Sequence, residues 1–370
     1  MPASIRHAVG QLLIGSLPGT TIPAEMRSLA REFGLGGVIL FGRNIEAPGQ
    51  VAELAHDVQS LAGELPLWVS VDQEGGRVAR LRAPFTEWPP MAALGRSGDA
   101  GLARRFAAAL AAELRAVGVT LDYAPVLDIH TNPDNPVIGD RALASDAETV
   151  GRLGAAIIQG LQEGGVAACG KHFPGHGDTA VDSHLELPVV EHPPDRIRRV
   201  ECVPFRDAVK AGVAFMMTAH VLVPALDPEH AATLSPRIVD GLLRHELGFE
   251  GVILSDDLEM RAVARTLAAP AAAVEAVAAG CDGLLVCRAL TTDRGRDIDA
   301  QAQVLEALVH AVEDGRIPYA RLDDALGRQR RAKERFLGAA SSARGLPAVH
   351  GDVVGCDEHR RIAEEMARHL

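Results

Sequence analysis

Basic charge is scarce in this sequence: 37 lysine and arginine residues stand against 49 aspartate and glutamate residues, giving a formal net charge of −12. A protein that binds nucleic acid normally carries an excess of basic residues on one face, so this balance argues against that class. Long apolar runs are also missing, because no stretch approaches the roughly 20 apolar residues of a membrane-spanning helix. We therefore expect neither a nucleic-acid partner nor a membrane partner.

Cysteines are few and widely spaced, at positions 169, 202, 281, 287 and 356. An odd number without any Cys-x-x-Cys pair argues against both a disulfide framework and a zinc ribbon. The apolar stretch at residues 9–17 is interrupted by glycine and polar residues, which indicates a first strand rather than a signal peptide. These features predict reduced thiols in a cytoplasmic protein.

Short apolar runs alternate with amphipathic segments along most of the chain. The candidate strands lie at residues 11–17, 37–41, 67–71, 120–125, 166–169, 214–217, 252–254 and 283–286. Helical patterns lie between and after them, at residues 23–33, 51–61, 102–117, 147–160, 196–211, 236–247, 267–279, 298–313 and 322–336. Strands that are apolar throughout and separated by helices are typical of a parallel sheet that is covered on its faces.

The number of strand–helix units favours a closed barrel over an open sheet. Eight units in about 290 residues fit a (β/α)8 barrel, whereas an open doubly wound sheet would place a glycine-rich phosphate-binding turn after its first strand. Here the corresponding segment, Gly15-Ser-Leu-Pro-Gly19, lacks that fingerprint. We therefore predict an α/β protein with one TIM (β/α)8 barrel domain over residues 1–337. Residues 338–370 are predicted to be a C-terminal tail with a short helix, not a separate domain.

Titratable residues follow four of the predicted strands. They are Asp72 after the third, Lys171 and His172 after the fifth, His220 after the sixth, and Asp256 with Asp257 after the seventh. In a parallel barrel the carboxyl ends of all strands meet at one rim, where the strand-to-helix loops form the active site. The sequence therefore predicts a catalytic pocket at this rim.

The loop at residues 171–184 contains three histidines and two aspartates, a composition that could suggest a metal site. However, its histidines lack the helical i, i+4 spacing of a known metal motif, so we expect no metal and no cofactor. Small or turn-forming residues surround His176, and we expect a structural role for it. Gly175 and Gly177 are candidate hinges for movement of the loop.

Four motifs occur in an order that resembles a known family. They are Asp72-Gln-Glu-Gly-Gly-Arg-Val-Ala-Arg80, the 171–184 loop ending in Asp-Ser-His, Met217-Thr-Ala-His220 and Ser255-Asp-Asp-Leu-Glu-Met260. Together they resemble the glycoside hydrolase family 3 N-acetylglucosaminidases of bacterial cell-wall recycling. The resemblance runs from about residue 10 to residue 286, with weaker matches at Gly139-Asp-Arg141 and Ala279-Gly-Cys-Asp282. The family has a TIM barrel.

The resemblance implies a retaining β-N-acetylglucosaminidase, or β-hexosaminidase, in which Asp256 is the nucleophile. Asp257 is the less favoured alternative for that role. The proton donor and acceptor would be His184, paired with Asp182, in place of the second carboxylic acid that most retaining glycosidases use. An imidazole titrates near neutrality, so one group can donate a proton in the first step and accept one from water in the second.

The resemblance also implies a set of substrate-binding residues, namely Asp72, Arg80, Arg141, Lys171 and His172. Charged groups of these types make strong hydrogen bonds with sugar hydroxyls. Arg80 can equally form a salt bridge with Asp72 or Glu74. For three further residues at the rim, a structural role is as consistent with the sequence as sugar contact: Asp122, Asp128 and His220.

Little chain follows the predicted barrel, so the resemblance is to the single-domain, cytoplasmic branch of the family. The implied partner is then a small sugar, N-acetylglucosamine β-1,4-linked to 1,6-anhydro-N-acetylmuramic acid, with or without a peptide. Three alternatives stay open from the sequence. They are a phosphorylase of the same family, a β-glucosidase or xylosidase, and a catalytically inactive sugar-binding protein. An inactive relative would be expected to lack Asp256 or His184, and both residues are present.

Overall fold

Eight parallel strands close into a barrel in the computed structural model, which describes residues 4–181, 183, 186–287, 297–338 and 352–370. The barrel strands are β1 (Leu13–Ser16), β2 (Gly37–Leu40), β3 (Trp68–Val71), β4 (Leu121–Asp122), β5 (Ala167–Phe173), β6 (Phe215–Thr218), β7 (Val252–Asp257) and β8 (Gly283–Val286). Each strand pairs with the next, and β8 returns to β1 with Leu284 beside Leu13. The predicted (β/α)8 barrel is confirmed.

Helices surround the barrel and connect its strands. They span Ile5–Gly10, Ala24–Phe33, Pro48–Gln59, Met91–Ser97, Ala100–Ala116, Ala147–Glu163, Pro194–Arg199, Cys202–Lys210, Arg237–Glu246, Arg261–Ala264, Ala269–Ala279, Asp297–Glu313, Tyr319–Leu337 and Asp357–Ala367. The single helix predicted at residues 196–211 is wrong, because the chain breaks there into two helices. Within the described ranges, no helix is both long and apolar enough to cross a membrane.

Several short elements were missed by the sequence patterns. A two-stranded antiparallel sheet, Leu222–Val223 with Asp227–Ala231, follows β6, and short helices precede β1 and follow β3 and β7. The missed helices have four to seven residues, too few for a helical period to repeat twice. Two-residue strands are likewise too short to show alternation.

The interior of the barrel is filled by side chains from its own strands. Residues along each strand alternate between the interior and the surrounding helices. Trp68 of β3 and Phe215 of β6 belong to strands that are not neighbours, yet their rings lie 5.1 Å apart in an edge-on contact. This contact crosses the barrel, so a binding site has room only above it, at the carboxyl ends of the strands.

The helix Tyr319–Leu337 closes the other end of the barrel. Phe336 lies 6.4 Å from the ring of Trp68, and Trp68 Nε1 donates to Gln329 Oε1 at 3.2 Å. Lys333 Nζ donates to Gln11 Oε1 at 2.8 Å and to the Gly36 carbonyl at 3.0 Å. Only 1% of Lys333 is exposed, and this burial lowers the pKa of its amine to about 7.

The helix Asp357–Ala367 lies against the helices Met91–Ser97 and Ala100–Ala116. The buried carboxylate of Glu113 accepts hydrogen bonds from His359 Nδ1 at 2.8 Å and from the backbone N–H of Gly355 at 3.0 Å. It also accepts from Thr86, in the loop that follows β3. This end of the described chain is therefore tied to the outside of the barrel by one buried acid.

Replacement of Lys333 by methionine is expected to make stability less dependent on pH. The unfolded chain keeps a lysine pKa near 10.5 and the folded protein has one of about 7, so the unfolded state binds more protons between these values. Relative to the variant, the wild type should lose stability as the pH falls from 10.5 to about 7, with a constant difference below that. Thermal denaturation of both proteins across this window measures the effect.

Lys210→Met is the matched control, because the Lys210 side chain is 69% exposed. Its melting temperature should differ from that of the wild type by the same amount throughout the window. A Lys333→Met difference that is equally independent of pH would show that the buried amine does not titrate as described.

Candidate active site

A cavity opens at the carboxyl ends of the barrel strands. It collects residues from β2, β5, β6, β7 and β8 and from the loops that follow the barrel strands, including those after β3 and β4. Six residues that the sequence analysis selected line it together: Asp72, Arg80, Arg141, Lys171, His172 and Asp256. The structure therefore brings these side chains to one place, although they are spread over 185 positions of the chain, from 72 to 256.

Asp72, directly after β3, is paired with two cations. Lys171 Nζ lies 2.9 Å from its Oδ1, and Arg80 Nη2 lies 3.3 Å from its Oδ2. Burial opposes the charge of Asp72, but the charges of Lys171 and Arg80 outweigh it and hold the pKa of this carboxyl below its usual range. Of the two salt bridges considered for Arg80, the structure has the one to Asp72.

Glu74 lies deeper in the wall and connects Lys171 to a further cation, Arg141. Arg141 contacts it with two parallel hydrogen bonds of 2.9 and 2.8 Å, and Lys171 Nζ lies 2.5 Å away. Burial disfavours the ionised form, yet the two cations keep the pKa of Glu74 far below its ordinary value. The same contacts raise the pKa values of Lys171 and Arg141 despite their burial. All members of this network are therefore charged at neutral pH.

His172 is oriented by a buried carboxylate. Its Nδ1 lies 2.7 Å from Asp128 Oδ2, and because a carboxylate accepts, the ring donates its Nδ1 hydrogen. Asp128 Oδ1 also accepts the backbone N–H of His176 at 2.6 Å. Burial opposes the charge of Asp128, but His172 and these hydrogen bonds hold its pKa below the usual range. Asp128 therefore positions two histidines at the cavity wall.

His176 is itself a lining residue, not only part of a turn. Its Nδ1 lies 2.7 Å from Thr179 Oγ1, and its carbonyl accepts from Asn135 Nδ2 at 2.8 Å. Burial lowers the pKa of its imidazole to about 4, so the ring is neutral at physiological pH. The expected structural role is compatible with these contacts, and the ring also presents a neutral polar edge to the cavity.

The first half of the 171–184 loop is packed tightly against its neighbours. A Cβ added to Gly177 would lie 1.8 Å from the carbonyl oxygen of Ile129, so glycine is needed there for a close approach. Asp178 is held on both sides, by Thr131 Oγ1 at 2.8 Å and by His192 Nε2 at 2.6 Å. These contacts argue against Gly177 as a hinge.

Asp256 lies near the end of β7, in the wall of the cavity. Its Oδ1 accepts the backbone N–H of Asp257 at 2.7 Å. The side chain of Asp257 is turned to the backbone instead, since its Oδ1 accepts from the N–H groups of Glu259 and Cys287, each at 3.2 Å. A carboxylate with two backbone donors is poorly placed to attack a ligand, which favours Asp256 as the reactive group.

Asp182 and His184 fall outside the residues that the structure describes, so their roles stay predictions. Ser183, between them in sequence, is described and is buried in the wall of the same cavity as Asp256. Its carbonyl accepts the backbone N–H of Ala262, in the helix after β7, at 3.2 Å.

All three rim residues whose role the sequence left open make structural contacts. Asp122 accepts the backbone N–H of Gln73 at 2.9 Å, and its complete burial raises its pKa well above the usual value. Asp128 orients His172, as described above. His220 is 1% exposed and contacts the backbone of Asp257, which excludes direct contact with a ligand in this arrangement.

Glu74 was not among the site residues predicted from sequence, although it is the partner of both Arg141 and Lys171. Its position two residues after Asp72 was a usable signal, since both lie in one motif. Other residues of the wall were also missed, because nothing distinguishes them in the sequence from core residues: Ile39, Phe41, Tyr123, Val137, Leu285 and Cys287.

Chemically, the cavity combines the carboxylate of Asp256 with fixed charged hydrogen-bonding groups. The lysine, two arginines and Asp72 supply donors and an acceptor at set positions, as a ligand with several hydroxyl groups requires. Asp256 is supplied from the opposite side of the barrel, on β7. Among the described residues, no group of three histidine, cysteine or acidic side chains is arranged to hold a metal ion.

Comparison with known proteins gives one family and a consistent set of relatives. Residues 4–332 match the model of the glycosyl hydrolase family 3 N terminal domain. Beta-hexosaminidase A of Pseudoalteromonas piscicida is 35% identical over 370 residues, which cover 94% of this chain and 60% of that protein. This chain therefore spans less than two thirds of that relative's length.

Solved structures agree with the family match. A glycoside hydrolase family 3 beta-N-acetylglucosaminidase from Paenibacillus sp. str. FPU-7 is 43% identical, with a TM-score of 0.92 over 99% of this chain and 68% of that one. NagZ from Neisseria gonorrhoeae, solved in complex with N-trifluoroacetyl-D-glucosamine, is 32% identical. Its TM-score is 0.77, and the match covers 97% of this chain and 98% of that one.

Replacement of Glu74 by glutamine is expected to lower the free energy of unfolding by about 3 kcal/mol, because it leaves two buried cations short of a counter-charge. The pKa of Glu74 is depressed in the folded protein, so its contribution is complete above pH 4.5 and is lost as the pH falls below that value. The difference between wild type and variant should therefore narrow on acidification. Urea denaturation at several pH values measures it.

Glu64→Gln provides the control, because Glu64 forms an exposed 3.0 Å pair with Arg330 at the other end of the barrel. It should change the free energy of unfolding by less than about 1 kcal/mol. Equal effects of the two substitutions at neutral pH would contradict the importance assigned to the buried network.

Proposed function

This chain belongs to glycosyl hydrolase family 3, and from that premise we propose that it is a retaining β-N-acetylglucosaminidase that removes terminal β-linked N-acetylglucosamine. The observation that carries the proposal is the position of Asp256 at the end of β7. Asp256 shares one cavity with Asp72 and Lys171. Arg80, which pairs with Asp72, and Arg141, which pairs with Glu74, line the same cavity. The names of the relatives described above support the choice of the amino sugar.

The proposed reaction has two steps, each of which displaces a group at the anomeric carbon. In the first, the Asp256 carboxylate attacks that carbon while the bond to the leaving oxygen breaks and this oxygen takes up a proton. In the second, water loses a proton and attacks the same carbon, which releases Asp256 from the covalent intermediate. Two inversions restore the β configuration in the product.

We assign the proton transfers to His184, with Asp182 as the partner that orients its ring. The assignment rests on the motif resemblance, and the position of Ser183 in the cavity wall supports it. A histidine that donates its proton becomes neutral, and it can then accept a proton from water in the second step.

The five charged and polar residues around the cavity would hold the sugar. We propose that its hydroxyl groups form hydrogen bonds with Asp72, Arg80, Lys171, His172 and Arg141. Asp72 is the group in this set that accepts hydrogen bonds when ionised, and its depressed pKa keeps it ionised at neutral pH. Arg80, Arg141 and Lys171 donate, so the set offers both kinds of partner that a hydroxyl needs.

For the natural substrate we propose N-acetylglucosamine β-1,4-linked to 1,6-anhydro-N-acetylmuramic acid, with or without peptide, in peptidoglycan recycling. The family resemblance motivates this choice, and the end-to-end match with NagZ from N. gonorrhoeae supports it. A cytoplasmic location belongs to the same proposal, since all five cysteines are free thiols.

The deciding experiment is hydrolysis of an aryl β-N-acetylglucosaminide, with the products monitored by NMR during the first minutes of the reaction. The proposal requires free β-N-acetylglucosamine as the first product, whether or not phosphate is present. A glycosyl phosphate as main product would make the protein a phosphorylase. Faster turnover of the matching glucoside would instead indicate a glucosidase, and binding without any turnover would indicate a sugar-binding protein.

Asp256→Ala is expected to lower kcat by about ten-thousand-fold, because no carboxylate remains to form the covalent intermediate. In the wild type, a 5-fluoro derivative of the aryl N-acetylglucosaminide should label one peptide, and mass spectrometry should map the label to Asp256. Asp314→Ala, a change at an exposed surface pair, should keep wild-type kcat. A label found on Asp257 would move the nucleophile by one residue and refute the assignment.

His184→Ala and Asp182→Ala are each expected to lower kcat by about 10²–10⁴-fold on substrates with poor leaving groups, where protonation of the departing oxygen limits the rate. The loss should be much smaller with a dinitrophenyl leaving group, which departs without a proton. Steady-state kinetics on both substrates gives the comparison. Wild-type kcat of the His184 variant on the poor substrate would assign the acid role to another residue.

A further inference from the structure

His220 occupies a buried position directly behind the nucleophile. It follows β6 by two residues and is 1% exposed. Its ring connects two elements: Nδ1 lies 2.8 Å from Thr233 Oγ1, and Nε2 lies 3.0 Å from the backbone carbonyl oxygen of Asp257. The imidazole therefore spans the space between the hairpin region after β6 and the end of β7.

The contact with Asp257 fixes which ring nitrogen carries a hydrogen. A carbonyl oxygen can only accept, so Nε2 must be the donor in this hydrogen bond. The other end of the ring is held by Thr233, whose hydroxyl also lies 3.0 Å from the Ala219 carbonyl and 2.9 Å from Thr218 Oγ1. Through Thr233, the end of β6 thus holds the His220 ring, and with it the Nε2 donor, in place.

Asp257 is the residue through which this contact reaches the nucleophile. Its carbonyl accepts from His220 and from the backbone N–H of Met260 at 3.0 Å, and its Oδ1 accepts from the backbone N–H groups of Glu259 and Cys287. These contacts and its place as the last residue of β7 set the position of Asp257 and, with it, the direction of its own backbone N–H. That N–H donates to Asp256 Oδ1 at 2.7 Å, the shortest link in the series.

We propose that His220 is a positioning residue for Asp256, which acts by holding Asp257 so that its N–H fixes the orientation of the nucleophilic carboxylate. The inference rests on the proposed function. A hydrogen bond at Oδ1 sets the plane of the carboxylate and therefore the direction in which its other oxygen meets the anomeric carbon. The sugar itself is held from β3 and β5, by residues that His220 does not contact.

This arrangement separates binding from chemistry. Loss of the His220 contact should shift the Asp257 peptide and so tilt the N–H that orients the Asp256 carboxylate, while the groups that bind the sugar stay in place. Displacement of a reacting atom by about 1 Å can cost about a hundredfold in rate. The expected signature is therefore a lower kcat with little change in KM.

Two substitutions of the same residue test which end of the ring matters. His220→Gln places an amide N–H near the position of Nε2 and so keeps a donor for the Asp257 carbonyl. His220→Asn has a shorter amide that reaches only the Thr233 end. We expect the glutamine variant to stay within about threefold of wild-type kcat and the asparagine variant to lose about a hundredfold, both with KM near the wild-type value.

The rate of labelling by the 5-fluoro glycoside gives a second readout that a purely structural role would not move. It should fall in the asparagine variant in parallel with kcat, while the dissociation constant of N-acetylglucosamine stays unchanged. His359→Asn is the matched control, because it also removes a buried imidazole. The Nδ1 of that ring donates to Glu113 at 2.8 Å, outside the cavity. It should lower the melting temperature without changing kcat.

Each outcome decides the inference. Equal losses of kcat in the two His220 variants, or a rise in KM with unchanged kcat, would overturn the positioning role. If His220→Asn does not fold, Thr233→Val removes the hydroxyl that holds Nδ1 at similar volume, and unchanged kcat in that variant would overturn it too. A wild-type protein without activity on N-acetylglucosaminides would contradict the proposed function instead, which separates the two claims.

Discussion

The ammonium group of Lys171 lies between the carboxylates of Asp72 and Glu74, and the arrangement of the cavity depends on this contact. Because burial alone would disfavour every charge in the group, the charges persist only through one another. Arg141 and Arg80 complete the balance, each on one carboxylate. The network joins the end of β3, the region after β4 and β5, so three parts of the rim hold their positions together.

The fold was accessible from sequence because its signal is local. Each barrel strand is an apolar run bounded by turns, and the polar residue that ends it follows at once, as with Asp72 after β3 or Asp256 in β7. Rim positions then converge because the barrel is closed, without any further information. Chain breaks inside a helical pattern, such as the one at Val200, leave no comparable local signal.

What could not be predicted rests on contacts between distant residues. Arg141 and Glu74 are 67 positions apart, His220 and Asp257 are 37 apart, and His359 and Glu113 are 246 apart. A polar residue at a strand end has the same appearance in sequence whether it binds a ligand or a neighbouring backbone group. His220 illustrates this, because its partner is a carbonyl oxygen, which every residue has. The packing of Gly177 on Ile129 is hidden for the same reason.

The closed end of the barrel limits the route by which ligands enter and leave the cavity. Phe336, Gln329 and Lys333 fill the space below Trp68, so in the described part of the structure the cavity is reached from the rim that carries Asp256. In the proposed glycosidase, a released monosaccharide would leave through the same entrance that the next substrate uses. Product and substrate would then compete for the same cavity, and accumulated product would act as a competitive inhibitor.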